Sequence, residues 1–273
     1  MHDGNPYSII RAEVLEVITE TPTIKTLRLK PDVPVSFVTG QFIELTVPGV
    51  GEAPFTPSSK PSVKEELQVS IMRVGKVTEK VHQLKAGDIV GVRGPFGAGY
   101  PLDEFRGKEL LIVGGGCGFA PLRSLMYALF EMSGQFKKLL FRGGCKNADE
   151  FLYRQEIESW GQRSDLDLKL TVDKASPSWN GHVGLVTTIL DDLGMDCGHA
   201  KAVVCGPPIM MKFATKKLLE LGFQESNLFL SMEKNMSCGI GKCGHCRIGT
   251  HYACKDGPVF RYDKIKNFHE IWD

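Results

Sequence analysis

The chain has almost no net charge, with 33 basic against 32 acidic side chains and a formal balance of +1. That balance gives no electrostatic footing for nucleic acid or an anionic membrane as a general partner. It also lacks any apolar run near the roughly 20 residues of a spanning helix. Its longest apolar runs, such as Leu110–Val113, have the length of strands. The first eight residues, Met1–Ser8, are polar and lack the features of a signal peptide. The expectation is a cytoplasmic protein. No internal repeat, low-complexity tract, catalytic triad or metal-hydrolase signature is present.

Cysteine is neither scarce nor evenly spread. Cys117, Cys145, Cys197 and Cys205 are scattered, whereas Cys238, Cys243, Cys246 and Cys254 crowd one short segment. In a chain of 273 residues without an export signal, such crowding points to metal rather than disulfides.

The pattern along the chain changes twice. Alternating apolar segments at Arg11–Val17, Ile24–Leu29, Phe42–Val47, Leu67–Val74 and Ile89–Arg93 are punctuated by Pro and Gly. They predict a small β barrel with one helix near Thr78–Leu84. Strands at Glu109–Val113, Lys138–Arg142, Leu168–Val172 and Ala202–Cys205 then alternate with helical stretches. The helices are expected at Pro121–Met132, Leu152–Trp160, Leu185–Leu193 and Ile209–Leu221, which together imply a parallel α/β sheet. The tail from Ser231 has little periodicity and is too small to fold on an apolar core. The reading is a β barrel plus an α/β domain with a small cofactor-stapled segment, divided as 1–104, 105–230 and 231–273.

The tail carries the most specific motif. Cys238-Gly-Ile-Gly-Lys-Cys243-Gly-His-Cys246, followed by Cys254, has the spacing C-x4-C-x2-C-x7-C. Its first three cysteines match the plant-type [2Fe-2S] spacing. Iron takes soft thiolate donors, and glycines let the loop turn tightly around a cluster. Zinc is the alternative, through Cys243 and Cys246 with His245 or His251. Structural zinc sites usually pair two short knuckles, and this segment has one. Unmetallated thiols are the remaining reading.

Two loops have nucleotide character. Val113-Gly-Gly-Gly-Cys-Gly-Phe-Ala-Pro121 follows a buried strand and opens a helix, the context of a pyrophosphate site. It is not a P-loop. Val203-Val-Cys205-Gly206-Pro207-Pro208 also ends a strand, with Met210 opening the next helix. Ligands of open parallel sheets bind across the carboxyl ends of strands, so the two loops are expected to form one crevice. Arg142 and Lys146 are candidates for a 2′-phosphate, or plain surface charges. In the barrel region, Glu52-Ala-Pro-Phe-Thr-Pro-Ser-Ser59 reads as a polar, Pro-rich loop. Phe55, Thr56, Ser58 and Ser59 suit a flavin, while Arg73 and the helix start at Thr78 offer a seat for its pyrophosphate.

The order of barrel, G-G-G-x-G-x-A-P, C-G-P-P-x-M and C-G-x-G-K-C-G-H-C resembles ferredoxin–NADP reductase-type flavoproteins. More narrowly it resembles their branch with a C-terminal [2Fe-2S] cluster. That branch includes dihydroorotate dehydrogenase electron-transfer subunits, sulfhydrogenase γ subunits, the corresponding subunits of anaerobic sulfite reductases, and diaphorase subunits of heterodisulfide-reductase-like complexes. The resemblance implies FAD, NAD(H) or NADP(H), and one [2Fe-2S] cluster. It implies a multisubunit oxidoreductase in which hydride passes to the flavin and electrons pass singly through the cluster to a partner redox subunit.

By resemblance, Cys238, Cys243, Cys246 and Cys254 are the cluster ligands. Pro54, Phe55, Thr56, Ile71, Arg73, Val77 and Thr78 serve FAD. Gly114, Gly115, Gly116, Gly118, Ala120 and Pro121, with Gly206, Pro207 and Met210, serve the dinucleotide. Cys205 lies near the nicotinamide as the catalytic residue. Ala53 departs from the usual Arg of the flavin loop, and Cys117 from a usual Thr or Leu. Two competing readings are a stand-alone NAD(P)H:acceptor reductase and a zinc-binding, nucleotide-sensing module.

Overall fold

The computed structural model describes residues 5–177 and 179–272. It separates into two compact units. One comprises the chain up to Tyr100, with residues 123–128 and 232–259; the other comprises residues 101–122, 129–231 and Phe260 onward.

The first unit is built on a six-stranded antiparallel sheet. Its strands lie in the order Gly51–Phe55, Phe42–Val47, Ile89–Phe96, Ile10–Thr19, Ile24–Pro31, Leu67–Met72. Alternation sets the faces. Ile43 and Leu45 point inward with Leu27, Leu29, Leu67, Val69 and Val92, all fully buried in one apolar cluster. Each such side chain contributes about 1.5–3 kcal/mol by leaving water.

The expected barrel does not close as a ladder among the described residues. Its edges meet at a single bridge, Pro57 to Val69, where Ser58 N–H donates to the Gln68 carbonyl at 2.7 Å. Pro54 and Pro57 have no N–H to donate, so continuous pairing fails there. Gly51–Phe55, read from sequence as loop, is an edge strand. Glu52 anchors it through Arg93 on Ile89–Phe96 and through Thr46.

The segment with the clustered cysteines belongs to this first unit rather than standing apart. Ala98 N–H donates to the Gly257 carbonyl at 2.5 Å. Gly239 lies against the Phe96 ring, where an added Cβ would come within 2.9 Å. A segment with little apolar surface of its own gains order by covering an existing sheet.

The second unit is built on a sheet whose strands from His182–Val183 to Leu228–Ser231 pair in parallel. Its order is His182–Val183, Asp167–Val172, Lys138–Cys145, Glu109–Gly115, Lys201–Cys205, Leu228–Ser231, with Val259–Arg261 at the edge. The chain starts at Glu109–Gly115, steps outward on one side, then returns to the other side at Lys201–Cys205. Strand order therefore reverses between these two neighbours. Helices Phe119–Glu131, Arg154–Gly161 and Pro208–Glu220 follow strands as the periodicity predicts.

The helix expected at Leu185–Leu193 reduces to one 3-10 turn, Val186–Ile189. Its residues are β-branched, and the Thr188 hydroxyl donates to the Leu185 carbonyl at 2.7 Å, competing with helical bonding.

Candidate cofactor sites

The cysteine loop is shaped by glycine. Gly239, Gly241 and Gly244 have φ of 74°, 73° and 83°, a region costly for side chains with a Cβ. Those turns aim amides at sulfur. Ile240 and Lys242 N–H donate to Cys238 Sγ at 3.5 and 3.3 Å, and Gly241 N–H to Cys254 Sγ at 3.1 Å. Burial alone raises the Cys238 thiol. The amides of Ile240, Cys243 and Lys242 outweigh it and bring the thiol down to about 6. Cys254 is pushed up to about 12 by burial and by its bond with Cys246.

The four sulfurs fall into pairs. All are free thiols; Cys243 lies within hydrogen-bonding reach of Cys238 and Cys246 within reach of Cys254, whose N–H donates to Cys246 Sγ at 3.5 Å. Among the described residues, no three His, Cys, Asp or Glu side chains converge as a single metal ion requires. His245 turns away, with Nδ1 2.8 Å from the Ser237 hydroxyl. Four neighbouring thiols with amides aimed at their sulfur are a donor set that an iron–sulfur cluster takes.

On the same unit, the loop after Phe55 leaves polar groups unspent. Ser59 Oγ is buried without a hydrogen-bond partner. Thr56 is half-buried and Arg73 exposed, and neither side chain has a partner among the described residues. Ser58 bonds Ser70 at 3.3 Å, so it supports the loop. The Thr78 hydroxyl is also committed, accepting from Val74 and Gly75 N–H at 2.9 Å and donating to the Gly75 carbonyl. It shapes the turn rather than offering a free hydroxyl. Phe55 and Val77 are partly buried against the apolar cluster. Pro54 is half-buried opposite Glu44. Ile71 is fully buried in that cluster and its carbonyl lies 2.8 Å from His82 Nε2, so its side chain underlies the surface.

Sequence reading missed two groups here. Arg123 donates to Gln68 Oε1 at 2.7 Å and to the Ser58 carbonyl at 3.4 Å, steadying the loop from 55 residues away in Gln68's case. Glu44 is fully buried beside Arg93 with both carboxylate oxygens unpartnered. Burial, the largest influence, pushes its carboxyl up to about 7; Arg93 opposes this, while Glu52 and Cys238 add to it. Neither arrangement has a local sequence signal.

In the second unit, the two glycine loops sit side by side. Cys205 pairs with Gly114 in register at the carboxyl ends of adjacent parallel strands. That junction is where strand order reverses, the usual place for a ligand crevice. Gly118 is obligatory: a Cβ there would run into the Cys205 carbonyl. Met210 Cε covers Gly206, and a Cβ on Gly115 would lie 3.1 Å from it. Pro207 is exposed, with its ring 3.6 Å from the position of a Gly116 Cβ. Ala120 is buried and Pro121 half-buried in the first turn of Phe119–Glu131. Cys205 is only 5% exposed. Cys145 also underlies the loop, bonded to the Gly116 backbone and pushed up to about 12 by burial.

Arg142 is a correction. It is fully buried and pairs with Asp167 through two nitrogens, at 3.0 and 2.9 Å. A guanidinium locked under the sheet is unavailable to a 2′-phosphate. Lys146 stays exposed.

Comparison with known proteins finds three family models along the chain. Residues 12–100 match the oxidoreductase FAD-binding domain. Residues 112–216 match the oxidoreductase NAD-binding domain. Residues 233–266 match the iron-sulfur cluster binding domain of dihydroorotate dehydrogenase B. The chain is 36% identical to sulfhydrogenase 1 subunit gamma of Pyrococcus furiosus, covering 97% of this chain and 94% of that protein. It is 37% identical to a probable dihydroorotate dehydrogenase B (NAD(+)) electron transfer subunit of Methanocaldococcus jannaschii, covering 94% and 91%. Among solved structures, a chain of an NADH-dependent reduced ferredoxin-NADP oxidoreductase aligns with a TM-score of 0.76 at 26% identity, covering 97% and 94%. No helix of the described residues is long and apolar enough to cross a membrane.

Proposed function

The chain belongs to the family of sulfhydrogenase gamma and dihydroorotate dehydrogenase B electron-transfer subunits, which are ferredoxin–NADP reductase-type flavoproteins, and on that premise we propose how its residues divide the work. It is an oxidoreductase that binds FAD, a nicotinamide cofactor and an iron–sulfur cluster and works with redox partner subunits. Residues 1–104 hold FAD, 105–230 the dinucleotide and 231–273 the cluster. Cys238, Cys243, Cys246 and Cys254 ligate a [2Fe-2S] cluster. The observation that carries this is the set of backbone amides donating to Cys238, Cys246 and Cys254 sulfur, on the same compact unit as residues 12–100 that match the FAD-binding domain.

The cofactors supply hydride acceptance and single-electron transfer when bound. The protein's own groups position and tune. Ser59, Thr56 and Phe55 edge the flavin, and Arg73 meets its phosphates. The amides of Gly116–Gly118 and the first turn of Phe119–Glu131 receive the dinucleotide phosphates. Cys205, at the strand end beside Gly114, stands at the nicotinamide. The donor is NADH. Arg142 is locked away, and Asp149 and Glu150 in the turn after Lys138–Cys145 disfavour a 2′-phosphate. The protein works in the cytoplasm.

Anaerobic purification with iron, sulfide and flavin analysis tests this. Two irons, two sulfides and one FAD per chain are expected, with bleaching by NADH. Zinc in place of iron, or an iron-loaded chain that NADH leaves oxidised, overturns it.

A further inference from the structure

The four cysteines differ in exposure. Cys246 and Cys254 are each 1% exposed, Cys238 is intermediate, and Cys243 alone faces solvent. Whatever exchanges electrons with this loop from outside approaches along Cys243. The surroundings of that thiol therefore define the face a redox partner meets.

That face is cationic. Lys242, Arg247 and Lys255 are all exposed, as is His245. Their placement follows the loop's glycines. The Lys255 stem lies across Gly241, with Cδ 3.0 Å from where a Cβ would stand, and Arg247 Cδ lies 3.9 Å from the equivalent point of Gly244. Lys242 Nζ sits 5.7 Å from the centroid of the Tyr7 ring. Tyr7 is 52% exposed. Between positions 233 and 256 the acidic residues are Glu233 and Asp256, against Lys234, Lys242, Arg247 and Lys255, so the segment is positive on balance; Asp256 also accepts from Tyr252 N–H at 2.7 Å.

An exposed aromatic ring beside a cationic rim makes the pattern of an interface whose charges steer and orient a partner. The chain's overall charge of +1 makes this a local feature, not a consequence of composition. We propose that Tyr7, Lys242, Arg247 and Lys255 form the docking face for the redox partner subunit, and that the partner meets it with an acidic surface. The proposal rests on the electron-transfer reading and names the partner's chemistry. Carboxylates opposite the lysines set the register that brings the partner's acceptor to Cys243.

The test uses the native complex. A zero-length carbodiimide joins lysine amines to carboxylates in contact, and acetic anhydride labels lysines that stay open. Cross-links from Lys242 or Lys255 to Asp or Glu of the partner, with both lysines shielded from acetylation, are expected. The double variant Lys242→Glu with Lys255→Glu should weaken the complex by about an order of magnitude at low ionic strength, a gap that closes as salt rises. Iron content serves as the control. Should that variant lose iron, Lys242→Gln with Lys255→Gln takes its place and should weaken binding less steeply. Equal labelling of both lysines in the free chain and in a complex that does form overturns this proposal alone. Absence of any co-purifying redox subunit overturns the electron-transfer reading beneath it.

Discussion

Glu44→Gln should make the protein more resistant to alkaline conditions, by an amount the structure sets. Glu44 is fully buried on the strand Phe42–Val47, and neither carboxylate oxygen has a partner. The cation opposite it is already spent. Arg93 donates to Glu52 at 3.0 and 2.7 Å and to the Pro6 carbonyl at 3.0 Å. Burial therefore dominates and raises the carboxyl from 4.5 to about 7. The folded state holds this proton more tightly than the unfolded chain. Its contribution is complete below pH 4.5 and is lost as pH rises through about 7. At about 1.4 kcal/mol per pH unit, the ionised carboxylate costs roughly 3 kcal/mol of stability above about pH 8.

Glutamine cannot ionise, so the variant escapes that loss while keeping much the same volume. For a chain of this size roughly 3 kcal/mol corresponds to about 6–10 °C in Tm. Thermal unfolding of wild type and variant, both iron-loaded, should be followed between about pH 5.5 and 8.5, across the folded value. The Tm difference, variant minus wild type, should climb with pH and level off near the top of that range. A difference that stays flat refutes the argument, because it would mean that Glu44 is solvated or partnered in solution.

Replacing Cys246 or Cys254 with Ser should strip most iron and the visible absorption, read by iron assay, whereas Phe55→Leu should leave iron in place. Gly118→Ala forces a methyl into the Cys205 carbonyl, so it should raise the KM for NADH severalfold and cost about 2 kcal/mol in denaturant titration. Arg142→Ala should cost about 2–3 kcal/mol by orphaning Asp167, yet leave the ratio of NADH to NADPH turnover unmoved; a changed ratio would restore Arg142 as a phosphate reader. Wild-type kcat/KM should favour NADH over NADPH by at least about tenfold.

Local chemistry settled much of this protein before any coordinates. A period of two wrote the strands Ile24–Pro31 and Phe42–Val47 into the chain, and strand–helix alternation wrote the parallel sheet. The spacing from Cys238 to Cys254 and the glycines after Val113 could be read as candidate cofactor loops, since each depends on residues that are neighbours along the backbone. Other features exist only once distant segments meet. The edge strand Gly51–Phe55 forms because Arg93, 41 positions from Glu52, holds its carboxylate. Arg142 looked available until the sheet closed over it, and Glu44 looked like any solvated carboxylate in a strand. The cysteine segment lies on the first unit's sheet because Ala98 N–H donates to the Gly257 carbonyl and Gly239 packs on the Phe96 ring. Turns and periodicities are short-range and survive in a linear text. Burial of charge and docking of one segment on another depend on which surfaces exclude water together, and that is decided only in three dimensions.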